Sequence, residues 1–346
     1  MSRIVVCGVQ TLYVRGGAEL LVDSLVDALR ERDHQVDVVN LPYVDVPRHH
    51  ILYGYMAWRM LNLQAVHGRS IDMVIPTKFP SYAVNHPNKV VWLVHQHRQA
   101  YELFGTRYSD MHLRPDGRLF AWLVRRMDAW SLGGAQRLCS ISRTTAERAR
   151  RYNGLQVQPV YPPPRLAARL RPGEYGDYVL APGRFEPIKR FGLIVQAMAQ
   201  VKGPLRLVIA GDGMERPRLE ALVEQHGLQG RVTFLGRVTD DELIDLYAGC
   251  LGVVYPPYEE DYGYVTVEAF LARKPVVSVS DAGGVMEFLQ DGVNGFVAEP
   301  TPTALAAALD RLWDARGRAS ELGANGYETV KGITWDAVAA ALTGER

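Results

Sequence analysis

Short apolar runs alternate with helix-patterned segments along this chain from one end to the other, and the alternation is broken only once. Ile4–Val6 is the first strand-like run. Ala18 to Arg32 follows, with Leu20, Leu21, Leu25 and Leu29 on one helical stripe. Val36–Val39, Asp72–Ile75 and Val90–Val94 read as the next strands. Continuous apolar runs of this kind suit a parallel sheet covered on both faces, and the β-α-β-α order implies a doubly wound α/β domain. The break comes after Tyr161, where Pro162, Pro163, Pro164, Pro172, Gly173 and Gly176 cluster as a linker. A second series then begins, with strands expected at 178–181, 205–210, 232–235, 251–254, 276–279 and 295–297 and helices between them. The 346 residues suffice for two domains of ordinary size. The expected fold is therefore α/β, with two Rossmann-like doubly wound parallel-sheet domains, 1–161 and 162–326, facing a central cleft. A helical tail follows at 327–346. Ligands of open α/β sheets bind at the carboxyl ends of strands, so the chemistry is expected on the loops that follow strands.

Composition narrows the setting. Cys7, Cys139 and Cys250 are odd in number, far apart and form no CxxC pair, so neither a zinc site nor a disulfide framework is indicated. The N-terminus runs straight into a strand, without the long apolar stretch of a signal peptide, and no apolar run reaches spanning length. A cytoplasmic protein is expected. Charge is uneven: residues 1–160 hold 20 Lys+Arg against 13 Asp+Glu, a net of +7, and the remainder hold 19 against 25, a net of −6. The basic first half could meet an anionic or lipid-linked acceptor and sit weakly at the inner membrane face, or the two domains could simply differ in isoelectric point. Arg118 to Arg151 sets many arginines among Phe120, Trp122, Leu123 and Trp130. The expected arrangement is core aromatics on one helix face with solvated arginines opposite; a lipid-facing surface is the other reading.

Four segments could carry chemistry. Gly16-Gly17-Ala18-Glu19 opens a helix, where glycines let backbone approach a ligand and the helix N-terminus favours negative charge; a plain turn reads equally from it. No GxGxxG is present, which disfavours a dinucleotide site. Gly183-Arg184-Phe185-Glu186-Pro187-Ile188-Lys189 follows the first strand of the second domain, and its two cations suit a diphosphate or form a solvated basic turn. Glu260 to Glu268 places one carboxylate in a loop and another in the helix that Gly263 begins, so that N–H groups near Gly263, Tyr264 and Val265 can face an anion. The carboxylates could accept from hydroxyls of one ligand or act as a glycosidase pair; spacing leaves both open. Val90–Val94 ends in His95-Gln96-His97, and His95 can hydrogen-bond a sugar hydroxyl or an anionic intermediate. The two histidines lack a third ligand at metal spacing, and no Asp-x-Asp occurs, so no metal and no cofactor is expected.

Taken together, these segments resemble glycosyltransferase family 4, the retaining enzymes of the GT-B fold. The resemblance rests on order and spacing over nearly the whole chain. It takes in Gly16-Gly17-Ala18-Glu19, Cys139-Ser140-Ile141-Ser142, Gly183-Arg184-Phe185…Lys189, Ala210-Gly211-Asp212-Gly213 and Phe234-Leu235-Gly236-Arg237-Val238. It continues through Glu260…Glu268 as the E-x7-E element, Lys274-Pro275, Gly283-Gly284…Glu287 and Asp291-Gly292…Asn294-Gly295. The resemblance implies that Arg184 and Lys189 hold the diphosphate of a nucleotide sugar and that Glu268 binds the ribose. Glu260 would contact the transferred sugar, and His95 would stand beside that sugar, with His97 a less suitable substitute. Gly16, Gly17, Gly183 and the backbone of Gly263, Tyr264 and Val265 would complete the phosphate cradle, and Gly236, Arg237 and Val238 would line the base. The tail would return to the first, acceptor-side domain. The implied activity is retaining, metal-independent transfer of a hexose-type sugar from a UDP- or GDP-sugar to a hydroxyl of a glycan, lipid-linked or small-molecule acceptor. A GT-B sugar-nucleotide epimerase or phosphorylase, or a non-catalytic nucleotide-sugar-binding subunit, is the alternative. Nucleic acid is not expected as a partner.

Overall fold

The computed structural model describes residues 1–10, 16–44 and 46–345, and the chain divides into two compact units, 1–165 with 333–346, and 166–332. Unit 1 runs β1 (Arg3–Gln10), α1 (Gly17–Arg30), β2 (Gln35–Pro42), α2 (His49–Met60), β3 (Ala65–Val66), β4 (Arg69–Ser70), β5 (Met73–Pro76), β6 (Val90–Leu93), α3 (Gly117–Gly133), β7 (Arg137–Ser140), α4 (Arg143–Asn153) and β8 (Gln158–Pro159). β1 pairs in parallel with β2 and β5, and β6, β7 and β8 form a second parallel set. A single bridge between Val74 and Lys89 joins the two sets. Every residue of β5 and β6 is buried, which is why these strands read as unbroken apolar runs rather than alternating ones.

Unit 2 runs β9 (Tyr178–Pro182), α5 (Phe191–Met198), β10 (Arg206–Ala210), α6 (Arg216–Gln225), β11 (Val232–Gly236), α7 (Asp240–Gly249), β12 (Gly252–Val254), α8 (Tyr264–Leu271), β13 (Val276–Val279), β14 (Gly295–Ala298), α9 (Pro302–Asp314) and α10 (Ala319–Val330). Its sheet is wholly parallel, in the order β11-β10-β9-β12-β13-β14. Strand order reverses between β9 and β12, the place where doubly wound sheets open a crevice for ligand. Helix starts follow local chemistry. Thr239 caps α7 in a reciprocal box with Glu242, and Thr301 caps α9 by accepting from the Ala304 N–H.

The division falls at Arg165/Leu166, inside the 162–176 linker and a few residues past the expected boundary at 161. Lys274 is one reason the Gly173–Gly176 stretch stays with unit 2: its buried ammonium donates to the Gly173 and Glu174 carbonyls and lies 3.9 Å from the Tyr175 ring centre. The tail also divides later than position 327. α10 packs on α8 within unit 2, and only α11 (Trp335–Thr343) joins unit 1, with Trp335 edge-on to Trp92 at 6.2 Å. The last residue of the expected tail, 346, lies outside the described residues.

α3, while packing Phe120 against the core, corrects the expectation of core aromatics for its two tryptophans. It turns Ala121, Val124, Asp128, Ser131 and Leu132 inward and leaves Trp122 and Trp130 58% and 59% exposed. Asp128 is fully buried and accepts from the Tyr101 hydroxyl at 2.6 Å. Burial pushes its carboxyl up to about 7, against that hydrogen bond. A raised carboxyl contributes stability that is complete below its unfolded value, about 3.9, and is lost as pH rises through about 7. Asp128→Asn is therefore expected to flatten the stability–pH curve between those values and to gain on the order of 2–4 kcal/mol at pH 8. Urea denaturation across pH checks this. A variant curve parallel to wild type refutes it.

Candidate active site

The loops after β9 and β12 flank the reversal of strand order and carry most of the residues singled out in the sequence. The first loop leaves β9 at Gly183 (φ +142), and it is pressed from below by β10. A Cβ on Gly211 would lie 1.9 Å from the Gly183 carbonyl oxygen, and one on Gly213 would lie 2.7 Å from the Phe185 nitrogen. The Ala210-Gly211-Asp212-Gly213 element is thus a floor for the Arg184 loop: only a residue without a side chain lets the two backbones approach this closely. Arg184 itself is half-exposed, 3.1 Å from Glu186.

The second loop is held by a residue the sequence reading passed over. Arg190, buried and left-handed at φ +55, donates Nε to the Pro256 carbonyl at 2.8 Å and also bonds the Pro257 carbonyl. Its guanidinium forks onto Asp281 at 3.0 and 2.6 Å. A positive φ on a non-glycine residue beside a cationic motif was the available signal, and it is conformational rather than compositional. Arg190 locks the two loops together, and this sets Lys189 opposite Glu260. Lys189 Nζ donates to Glu260 Oε2 at 2.6 Å and to the Tyr255 hydroxyl at 3.1 Å. Burial opposes the lysine charge, but Glu260 and Tyr255 outweigh it and hold the ammonium above the usual lysine range. The structure therefore joins two residues to which the family resemblance assigned separate tasks.

Gly283 and Gly284 support Glu260 from the far side. Cβ atoms there would lie 2.5 Å from the Glu260 oxygen and 2.7 Å from the Asp261 oxygen, while the Gly284 N–H donates to the Glu260 carbonyl at 2.8 Å. α8 starts at Gly263 (φ +87), which places the first N–H groups of the helix, Tyr264 and Val265 among them, at the loop's end. Glu268 lies one turn further on and accepts from the Tyr247 hydroxyl at 2.7 Å. Burial, with the Glu268 charge next, holds the Tyr247 and Tyr264 phenols above their ordinary range, so both stay protonated beside it. Gly236 (φ +72) ends β11 and its carbonyl accepts from the Gly211 N–H at 2.8 Å, which ties Gly236, Arg237 and Val238 to the same edge of the sheet; Arg237 is exposed.

Unit 1 holds the remaining candidates. Gly16 precedes α1 and Gly17 begins it; the Gly16 N–H donates to Glu19 at 2.9 Å, and Glu19 also accepts from Lys78 at 2.8 Å. Burial works against the Glu19 charge, yet Lys78 outweighs it and keeps the carboxyl below its usual range. Lys78 was not singled out in the sequence, because its partner lies 59 positions away. His95 follows β6; its carbonyl accepts from the Phe79 N–H, and its Nδ1 donates to the Gln96 carbonyl at 2.8 Å. His97 is buried, with Nδ1 2.9 Å from the Tyr43 hydroxyl. Burial first, then His95 and Arg48, lower it to about 4, so it is uncharged at neutral pH. The two histidines therefore sit in different surroundings.

Residues 166–329 match the family described as glycosyl transferases group 1. An uncharacterised glycosyltransferase of Methanocaldococcus jannaschii is 26% identical over 94% of this chain and 92% of its own length. The alignment with the D-inositol 3-phosphate glycosyltransferase of Nocardia farcinica, at 33% identity, takes in 52% of this chain and 43% of that relative, so the chain spans under half of its length. Among solved structures, sucrose-phosphate synthase of Thermosynechococcus elongatus superposes over 99% of this chain and 98% of its own with a TM-score of 0.81 at 20% identity. HepE of Anabaena, in complex with UDP and glucose, covers 98% of both chains with a TM-score of 0.71 at 17% identity. These structural likenesses carry the fold, which is GT-B. The match to the glycosyl transferases group 1 takes in nearly the whole of unit 2, residues 166–332.

Proposed function

We propose that the protein is a retaining, metal-independent transferase that takes a hexose-type sugar from a UDP- or GDP-sugar and places it on a hydroxyl acceptor. The observation that carries this reading is the meeting of Lys189 and Glu260 across the strand-order reversal, beside the helix start at Gly263. A cation, a helix N-terminus and an exposed arginine, Arg184, give the leaving diphosphate the positive surroundings that a divalent metal would otherwise supply. Glu268, oriented by Tyr247, suits ribose hydroxyls. Glu260 suits a hydroxyl of the sugar. His95, whose Nδ1 donates to the Gln96 carbonyl, suits a sugar hydroxyl. As the anomeric C–O bond breaks, its electron pair goes to the β-phosphate oxygen, and that oxygen takes the proton of the acceptor hydroxyl as the new C–O bond forms on the same face. No enzymic nucleophile is required by this route. The complex of HepE with UDP and glucose favours UDP as the first donor base to try.

Thermal denaturation with UDP, GDP and ADP, followed by transfer or donor hydrolysis in EDTA, tests the reading. A nucleoside diphosphate that binds only the folded protein at a hundred times its Kd adds about 2.7 kcal/mol. UDP or GDP is expected to raise Tm, and turnover is expected to persist in EDTA. Complete loss in EDTA with recovery on magnesium or manganese overturns metal independence. A rise in Tm with a diphosphate but no donor consumed leaves the non-catalytic nucleotide-sugar-binding alternative, and Tm unmoved by any diphosphate with no donor consumed overturns both readings. Conversion of the donor to its epimer, or phosphate-dependent release of a sugar phosphate, in place of transfer or hydrolysis assigns the epimerase or phosphorylase.

A further inference from the structure

Helices α2 and α3 lie side by side and run in the same direction. At their first turns Arg48 stands 4.0 Å from Asp116, midway the Tyr55 hydroxyl donates to the Met127 carbonyl at 3.0 Å, and at their ends the Arg59 guanidinium lies 4.2 Å from the Trp130 ring centre. Inward positions are filled by Ile51, Tyr55 and Trp58 on one helix and by Ala121, Val124 and Leu132 on the other. The outward face is also apolar: Tyr53, Met56 and Met60 of α2 and Leu119, Trp122 and Trp130 of α3 are all exposed, Met60 by 79%. Leu119, Trp122 and Trp130, with the exposed Arg126 between the last two, fall on one helical stripe. An apolar patch shared by two adjoining helices is a contact surface, not scattered exposure.

Its charge says what it contacts. The only carboxylate on either helix is Asp128, and that group is buried. The exposed ionic groups on α3 are Arg118 and Arg126, with Arg59 leaning over Trp130. Carboxylates at the rim, Asp110 and Asp116, stand within ion-pair distance of Arg48, and Asp110 also of Arg114. Amphipathic rings beside arginines with no free acid are the side chains of a bilayer interface, where indoles sit at headgroup depth and guanidinium groups meet lipid phosphates. A cavity of about 520 Å³ is lined by Leu52 and Phe120 of the same helices and by Arg48 and Arg114 with their partners Asp110 and Asp116. His97 also lines it, and the His97 Nε2 is buried without a hydrogen-bond partner among the described residues. We infer that the α2–α3 face seats on an anionic lipid bilayer and presents a lipid-borne hydroxyl head to this cavity. The bilayer contact stands by itself; the role of the head as acceptor rests on the transferase reading above. The surface takes the 118–130 part of the 118–151 stretch marked in the sequence and adds α2 to it.

Flotation of the full chain with vesicles of phosphatidylcholine alone, and of equal parts phosphatidylcholine and phosphatidylglycerol, tests the inference. Binding to the anionic vesicles alone is expected, weakening as salt rises. The Trp122→Ser/Trp130→Ser pair and the Arg118→Glu/Arg126→Glu pair are each expected to lower vesicle partition by about tenfold or more. Tm and the UDP-induced rise in Tm should stay unchanged, since these side chains are exposed. Equal binding to both vesicle types, binding to neither, or full binding by the tryptophan variant overturns it. So does a wild-type dimer that the tryptophan variant dissociates, which assigns the face to a second copy. Vesicle binding without a nucleotide effect would remove the transferase reading alone, and a nucleotide effect without vesicle binding would remove this inference alone.

Discussion

Lys189→Met is expected to lower sugar-transfer turnover by on the order of 10²–10³ and to destabilise unit 2 by about 3 kcal/mol. Both effects have one origin. The Lys189 ammonium and the Glu260 carboxylate meet at 2.6 Å, with side chains only 18% and 15% exposed. Removing the lysine leaves a carboxylate with little water and no counter-charge, and breaking such a pair costs more than the pair itself contributes. Turnover falls for the separate reason that the ammonium would no longer face the charge that builds on the departing phosphate. The pH dependence follows from the direction of the lysine shift. A raised lysine contributes stability that is complete below its unfolded value, about 10.4, and is lost only as pH climbs through the higher folded value. From pH 6 to 9 the penalty of the variant should therefore be constant. The double variant Lys189→Met/Glu260→Gln removes both charges and should recover stability to within about 1 kcal/mol of wild type while turnover stays low. Urea denaturation and donor turnover on wild type, the two single variants and the double variant measure this. A Lys189→Met protein with wild-type turnover and nucleotide affinity would remove Lys189 from the site.

The architecture was legible because its signals are local. Unbroken apolar runs such as 73–76 and 90–93 declare buried parallel strands wherever they occur, and the proline cluster after Tyr161 falls within a few residues of the division at Arg165. The glycine elements were legible as sequence but not as structure. Gly211 and Gly283 read as parts of a motif, whereas their function is to let one loop rest on another, at Gly183 and at Glu260. What the sequence could not express was pairing at a distance. Lys189 and Glu260 are 71 positions apart, Glu19 and Lys78 are 59 apart, and Arg190 clamps a loop 66 positions away. α3 misled for a different reason. Trp122 and Trp130 are apolar by type, and an apolar stripe on a helix is usually core; here the opposite face supplies the core and the tryptophans are left outside.

Glu268→Ala is expected to weaken UDP or GDP binding by about 1.5–3 kcal/mol, roughly 10- to 150-fold, whereas His95→Ala should leave that affinity nearly unchanged and lower turnover. Glu268 projects from α8 one turn past the helix start that would face the diphosphate, and Tyr247 fixes one of its oxygens at 2.7 Å. A carboxylate so placed contacts the part of the donor that remains after the sugar has left, so its loss must appear in the affinity for the bare nucleoside diphosphate. Tyr247→Phe removes the orienting hydrogen bond but keeps the charge, and should cost about 1 kcal/mol in the same titration. In the proposed reaction His95, its ring oriented by the Gln96 carbonyl, meets a hydroxyl of the sugar. An interaction that strengthens as charge develops on the ring appears in turnover rather than in binding. Glu260 cannot serve as the clean control that its position in the sequence suggested: because it holds Lys189, Glu260→Ala should disturb diphosphate binding and sugar transfer together. Calorimetric titration of UDP and GDP into the Glu268, Tyr247, His95 and Glu260 variants, beside turnover and thermal denaturation of each, separates the four. Loss of nucleotide affinity in His95→Ala as severe as in Glu268→Ala would show that the histidine does not act on the sugar, and equal falls of Tm and activity in all four would reduce them to structural roles.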